Sequence, residues 1–443
     1  MLALCLGCCS ALLVQAQTPP MPAQTAPQTL PETMLLLLQD HPSMRARRAE
    51  AEATLQGMEI ARRQHWPTPS VSTDYGPRNA GNNKDLARAS VARLSLPLFT
   101  GGLLSADEEA AAMRYQLSRL DMQSQGQELG LQWLEMYRAW WQQQQRLRTV
   151  AHSLERMRAL HQMIVRRTEA GVSAEVDQQL TQVQIQRLLD ERALAQRLSD
   201  QVLAEMANLL GQSVQPILID AAALPHKPWV RVEELSERTM GVSPAVLQAR
   251  QNVELAKVEQ KRVRASLLPT VQLRYERQWG TYYGQQPAGE RFYVNTQAAF
   301  GAGMSALQQQ QQALSRTDAA EQQVGAARQR IQSLVNRLWH EEQAAQSQLD
   351  NASELAQAYD GLEASSLRLF TAGRRTWQEL MNLQRERHQL GLQQTDALAA
   401  MLGARLRMLW LADAFPGVQL TDHPQPTLPL VQVTPVPAGS RAN

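Results

Sequence analysis

The sequence predicts a mostly α protein with a small β part, built by internal duplication. Three observations predict it. Two proline-free stretches of nearly seventy residues each carry heptad-spaced apolar residues. Four short segments alternate apolar and polar residues with the period of a strand. The landmarks that punctuate these elements recur at one offset: Pro42 and Pro244, Pro67 and Pro269, Gly101 and Gly303, and Gly171 and Gly373 are each 202 positions apart. Four landmarks in a single register define two copies of one plan, helix, strand, strand, long helix, turn, helix.

The chain has 443 residues, formal net charge +2, 5% aromatics and 19% charged residues. Such a composition fits long helices rather than a sandwich or an α/β enzyme. The charge balance, with no dense basic stripe, argues against nucleic acid. Cys5, Cys8 and Cys9 are the only cysteines, so the rest of the chain can form neither disulfides nor a thiolate metal site. Residues 2–14 are apolar but too short to span a bilayer. Val14-Gln15-Ala16 gives a small-x-small cleavage signal, so residues 1–16 read as a signal peptide. Leu6-Gly7-Cys8-Cys9 matches a lipoprotein box only loosely. Residues 17–30 are Thr/Pro/Gln-rich and read as a flexible segment.

The first repeat spans 31–211. A helix is expected from Pro31 to His65, with Pro42 early in it, and Trp66-Pro67-Thr68-Pro69 stops it. Ser70–Tyr75 and Ser90–Phe99 read as strands, the second with Leu94, Leu96 and Leu98 on one face and Arg93 and Ser95 on the other. A long helix follows from Leu103 to Ala170. Leu129, Trp133, Met136, Trp140, Leu147, Val150, Leu154, Met157 and Ile164 keep a 4-3 spacing, with Gln143 and His161 at two skipped positions. At about 1.5 Å per residue it reaches on the order of 100 Å. The chain turns at Gly171 and returns over about Ser173–Leu210. A proline-bearing connector, 212–232, leads to the second repeat, 233–415. Its strands are Val271–Trp279 and Phe292–Phe300. Its long helix, from Gly303 to Thr371, carries Ile331, Leu334, Leu338, Ala345, Ala352, Leu355, Tyr359, Leu362 and Leu369 in heptad frame. A turn at Gly373 and a helix over Thr376–Asp413 follow. The Pro-rich tail, 416–443, is expected to be disordered.

Four short strands cannot close a barrel, yet about ten tilted residues fit the height of an outer-membrane strand. Strands from several chains would close one barrel, and three chains would supply twelve strands. Here a resemblance enters. Leu96-Pro97-Leu98-Phe99-Thr100-Gly101-Gly102, the strand-start prolines Pro67 and Pro269, and the paired turns Ala170-Gly171-Val172-Ser173 and Ala372-Gly373-Arg374-Arg375-Thr376 resemble the TolC family of outer-membrane efflux and secretion ducts. The resemblance covers about residues 30–415. It implies a homotrimeric twelve-strand outer-membrane barrel, four strands per chain, continued by a coiled-coil helical tunnel through the periplasm. Phe300-Gly301-Ala302-Gly303 departs from the first copy by lacking the proline and the Leu-Phe pair.

The resemblance also implies a periplasmic gate beside the tip turns Gly171 and Gly373. Asp177 matches an acidic linking residue, Arg375 its basic partner, and Phe370 an aromatic at the constriction. Glu379 and Asn382 match two acidic pore-ring positions, Asn382 with an amide in place of the acid. The alternative is that all five are solvated tip residues. Gly373 to Glu386, G-R-R-T-W-Q-E-L-M-N-L-Q-R-E, further resembles the branch that serves type I secretion of large adhesin-like proteins. The partners implied are a periplasmic membrane-fusion adaptor, an inner-membrane ABC or proton-driven transporter, and outer-membrane lipid, with no cofactor. Efflux of small molecules is the alternative duct role, and a soluble periplasmic coiled-coil adaptor or scaffold is the alternative of another class.

Enzymatic readings are weak. Gly301-Ala302-Gly303-Met304-Ser305-Ala306 fits a dinucleotide fingerprint on paper, but the helix after it leaves no room for a returning strand. His340-Glu341-Glu342 begins a zinc helix motif, but Ala344 stands where the second histidine is required. Trp140 and Trp141 are expected to pack. No nucleophile–base pair is visible, and no enzyme is predicted.

Overall fold

The structure, a computed structural model, describes residues 27–77, 86–220, 227–280, 289–298 and 305–418. The expected signal peptide, the strand end at 300–303 and the tail beyond residue 418 lie outside the described residues. Among the described residues eight helices and four strands follow one another as α1 (Leu30–Asp40), α2 (Pro42–Arg63), β1 (Thr68–Pro77), β2 (Leu86–Phe99), α3 (Leu103–Glu169), α4 (Glu175–Leu210), α5 (Val232–Val242), α6 (Pro244–Ala265), β3 (Thr270–Gly280), β4 (Glu290–Gln297), α7 (Ala306–Thr371) and α8 (Trp377–Leu411). The 202-residue offset holds element by element: α1 and α5, α2 and α6, β1 and β3, and α4 and α8 all start in that register.

One expectation is corrected in the first copy. The single helix expected from Pro31 to His65 is two helices, broken at His41, whose ψ is 134°. Pro42 has no N–H to donate, and its ring disfavours the helical region for the residue before it. Ser243 before Pro244 breaks α5 from α6 for the same reason. A second correction concerns residues 17–30. The chain is already held at Gln28, whose N–H donates to the Gln215 carbonyl and whose own carbonyl accepts from Ile217 N, both at 3.0 Å. At the other end Val418 is buried, two residues into the expected tail.

The strands form one antiparallel sheet in the order β1-β2-β3-β4, which leaves β1 and β4 as open edges. The helices pack in the order α4, α3, α8, α7, because α3 lies against both α4 and α8, and α8 against α7. The largest core sits at mid-height, where α1 packs on α3 and α4, α5 packs on α7, and the connector joins them. Three indoles and one phenol there carry their polar atoms to specific partners. Trp133 donates to the Thr33 hydroxyl at 3.1 Å, Trp141 to the Ile219 carbonyl at 2.8 Å, and Trp410 to the Gln127 carbonyl at 2.9 Å. The Tyr137 hydroxyl donates to the Ile217 carbonyl at 2.8 Å and accepts from Ile219 N at 3.2 Å. Burial pushes its pKa up to about 12. At Gly130 α3 and α8 approach so closely that a Cβ would lie 2.3 Å from the Trp410 ring. Trp140 and Trp141 are buried, as a packing role requires.

Candidate functional site

The gate residues expected from the sequence lie at the ends of α3, α4, α7 and α8, joined in pairs by two turns of identical construction. Gly171 and Gly373 both take φ 71°, in the left-handed region that glycine occupies without a Cβ penalty. In each turn the glycine N–H and the next N–H reach back over the helix end: Gly171 to Thr168 O and Val172 to Arg167 O, Gly373 to Phe370 O and Arg374 to Leu369 O, all at 2.9–3.0 Å. That is the Schellman pattern, and it satisfies carbonyls that the helix end would leave bare. Thr376 then caps α8, its side chain accepting from Glu379 N at 3.3 Å.

Between the turns lies a second apolar core of Ile164, Ile185, Leu188, Phe370, Trp377, Leu380 and Met381, among others. Phe370 packs against Trp377, ring centroids 5.0 Å apart, and the Arg167 guanidinium stacks 4.9 Å from the Phe370 centroid. Trp377 donates to the Thr181 hydroxyl at 3.0 Å, and Thr181 in turn donates to the Asp177 carbonyl at 2.8 Å. Within one chain, then, Phe370 is a core residue of the tip, and Asp177 joins the cluster through its backbone.

Arg375 does not pair with Asp177 inside the chain. It forms an ion pair with Glu379 at 3.2 Å, one turn along α8, and donates to the Ser366 hydroxyl. A half-exposed i,i+4 pair of this kind contributes roughly 0.3–0.5 kcal/mol, so a partner could redirect it. Asn382 accepts from Arg385 on its own helix. Sequence reasoning missed Trp377, Thr181 and Arg167; a large aromatic at the first position of a helix, immediately after a charged turn, was the available signal for Trp377.

Higher on the hairpins, polar ties stitch α3 to α8. Arg146 binds Asp396 through two contacts of 2.9 and 3.0 Å, Gln142 donates to the same carboxylate at 2.7 Å, and Thr149 meets Thr395 at 3.1 Å. Buried His388 bridges three helices, with Ser153 of α3 at 2.9 Å on Nδ1 and Glu191 of α4 at 2.8 Å on Nε2. Glu342, buried on α7, accepts from Lys227 at 2.6 Å and from Arg405 at 2.9 Å, and Lys227 also sits 4.0 Å from the Trp339 ring. These partners lie far apart in sequence, and no local pattern announces them. Among the described residues no cluster of metal-ligating side chains occurs, and no helix is long and apolar enough to cross a membrane.

The outer edges are apolar and bare. On α7, Leu355, Leu362 and Leu369 are 51%, 50% and 37% exposed although they keep the heptad. On α4, Val176, Val183, Leu194 and Leu198 are exposed. The sheet is two-faced. Val71, Leu94, Phe292 and Val294 lie on one side and are exposed. The other side carries Ser70, Arg93, Gln272, Arg274, Glu276, Arg291, Tyr293 and Asn295 by register.

This architecture, a four-stranded sheet continued by long helical hairpins, has counterparts among solved outer-membrane proteins. The fold is similar to that of VceC, an outer membrane protein of Vibrio cholerae (12% identity, TM-score 0.74, covering 88% of this chain and 96% of that one). It is similar also to CusC, described in connection with transmembrane channel formation (13%, 0.73, 90% and 99%), and to the open state of the MtrE outer membrane channel of Neisseria gonorrhoeae (14%, 0.71, 88% and 90%). No curated protein sequence matches the chain. Residues 35–212, which make up most of the first repeat, match the family model described as outer membrane efflux protein. Over that stretch the chain is similar to the outer membrane efflux protein family.

Proposed function

We propose that three copies of this chain close head-to-tail into an outer-membrane exit duct, which passes cargo from an inner-membrane transporter through a periplasmic adaptor to the exterior. The observation that carries this reading is the matching incompleteness of the two layers. The sheet ends in β1 from the first repeat and β4 from the second, and the helical layer ends in α4 from the first and α7 from the second. Each layer therefore exposes one edge of each repeat. Unpaired strand edges are unfavourable inside a bilayer, where no water satisfies them. A head-to-tail contact that closes on itself forms a ring, and three copies give twelve strands, enough for a barrel with a lumen.

The duplication supplies the contact. Leu355 and Leu362 stand 202 positions after Ser153 and Leu160, and in α3 those positions face inward: Ser153 bonds His388 of α8, and Leu160 is buried in the tip core. In a ring, α7 meets the α4 of the next copy as α3 meets α8 within one copy. The apolar face of the sheet then meets lipid, and the chain acts as a channel rather than as an enzyme. At the tip, Asp177, Arg375, Glu379 and Asn382 would form the constriction, with the exposed Arg375–Glu379 pair free to exchange between copies.

Among ducts, the segment from Gly373 to Glu386 favours type I secretion of an adhesin-like protein, and the family's description favours efflux of small molecules. Deletion in the native host separates the two. Loss of a large protein from the medium with unchanged drug susceptibility supports secretion, whereas increased susceptibility with normal secretion overturns it. Recovery of the chain in the soluble periplasm would overturn the duct itself.

A further inference from the structure

We propose that the lumen of the barrel carries an arginine belt that makes the duct prefer anions, so that its cargo crosses the outer membrane past fixed positive charge. The inference rests on the three-copy duct reading, which turns the polar face of the sheet inward.

The belt occupies two adjacent register rows. In one, Ser70, Arg93, Glu276 and Arg291 lie side by side across β1 to β4; in the next, Ser95, Arg274 and Tyr293 do so across β2 to β4. The rows are about 7 Å apart along the strands. Glu276 is their only carboxylate, and it is heavily shared: Arg93 donates to one oxygen, the Tyr293 hydroxyl to the same oxygen at 2.8 Å, and Arg291 to the other at 3.2 Å. Among the described residues Arg274 has no acidic partner. It donates to the Gln272 amide oxygen at 3.1 Å, and its buried Nε has no partner. Three guanidinium groups against one carboxylate leave a surplus of two positive charges per chain, and a ring of three copies multiplies it.

The neighbouring positions on this face, Ser72, Val91, Gln272, Gln278 and Asn295, carry no charge. Asp74 falls two rows nearer the loop end by register and leaves the balance positive. Arg277 and Glu290 lie on the opposite, apolar face and pair with each other at 3.5 Å. At the tip Glu379 is paired with Arg375 and Asn382 is an amide held by Arg385, which leaves Asp177 as the remaining acid of the constriction. A ring of one sign in a low-dielectric wall focuses its field on the lumen and sets the sign of the ions admitted. Carboxylate or phosphate groups on the cargo would be drawn to the same belt.

The test is the zero-current potential of the full-length protein in a planar lipid bilayer under a KCl gradient. The expected sign is that of chloride preference. Arg274→Gln and Arg291→Gln together should reduce the chloride-to-potassium permeability ratio by about twofold or more, and Glu276→Gln should raise it, as rings of fixed charge do. Opposite shifts cannot both come from misfolding. Channels that form but prefer potassium, or that keep their ratio in both the double variant and Glu276→Gln, overturn the belt and leave the duct standing. A preparation that forms no channels overturns the duct, and this inference falls with it.

Discussion

The two repeats share a plan and differ in surroundings. In the first, the long helix α3 is central, packed against α2, α4, α6 and α8, and its heptad positions Trp133, Val150, Leu154 and Ile164 are buried. In the second, α7 lies at the edge, and the lower part of its heptad, Leu355, Leu362 and Leu369, is exposed. The second helices are reversed: α8 is buried between α3 and α7, and α4 is the outer one. Identical apolar spacing thus serves two purposes. It closes a core where the partner helix is in the same chain, and it leaves an apolar edge bare on α7.

The comparison breaks most sharply along the α3 and α7 heptads. Leu362→Asp should abolish trimers, seen by mass measurement in detergent, while leaving the helical content of the chain intact. Leu160→Asp, its counterpart in the first repeat, should instead destabilise the chain itself by several kcal/mol, because a charge would enter a closed core. The second pair to test is Trp377 and its counterpart Glu175. Trp377→Ala removes the centre of the tip core and should cost about 3–5 kcal/mol in denaturant unfolding, whereas exposed Glu175→Ala should fall within about 0.5 kcal/mol. Gly130→Ala forces α3 away from Trp410 and should cost roughly 1–3 kcal/mol. Tyr137→Phe should cost about 1–2 kcal/mol by leaving the Ile217 carbonyl and Ile219 N–H without their partner.

Tyr137 also predicts a pH effect. Its folded pKa, about 12, lies above the ordinary tyrosine value of 10.0, so the unfolded chain releases the proton first. The stabilisation is complete below pH 10 and is lost as the pH rises from 10 towards 12. The Phe variant should lack that alkaline decline, measured as unfolding midpoint against pH.

Much of this fold was legible in the sequence because its signals are long or repeated. Heptads sustained over 129–164 and 331–369, strand alternation such as Leu94, Leu96 against Arg93, Ser95, and four landmarks at one offset average over many residues. The break at His41 was missed because one Pro was weighed against a strong helical pattern. The tip was read only in outline. The turns Gly171 and Gly373 follow from a local backbone demand. The burial of Phe370 against Trp377 and Arg167, and the choice of Glu379 by Arg375, depend on which helices meet. The heptad of α7 was visible, but a heptad does not say whether its partner lies in the same chain.

The central claim is that the α7 edge of one copy meets the α4 edge of the next. Val183 lies 12 residues after Gly171 and Leu362 lies 11 before Gly373, so the two stand at similar heights above the turns. The native cysteines all fall within the first nine residues. A Val183→Cys/Leu362→Cys double variant, treated in native membranes with a short bis-maleimide, should give covalent dimers and trimers on a denaturing gel, and each single variant should give none. A double variant that remains monomeric, with both cysteines shown to be modified, would contradict the account.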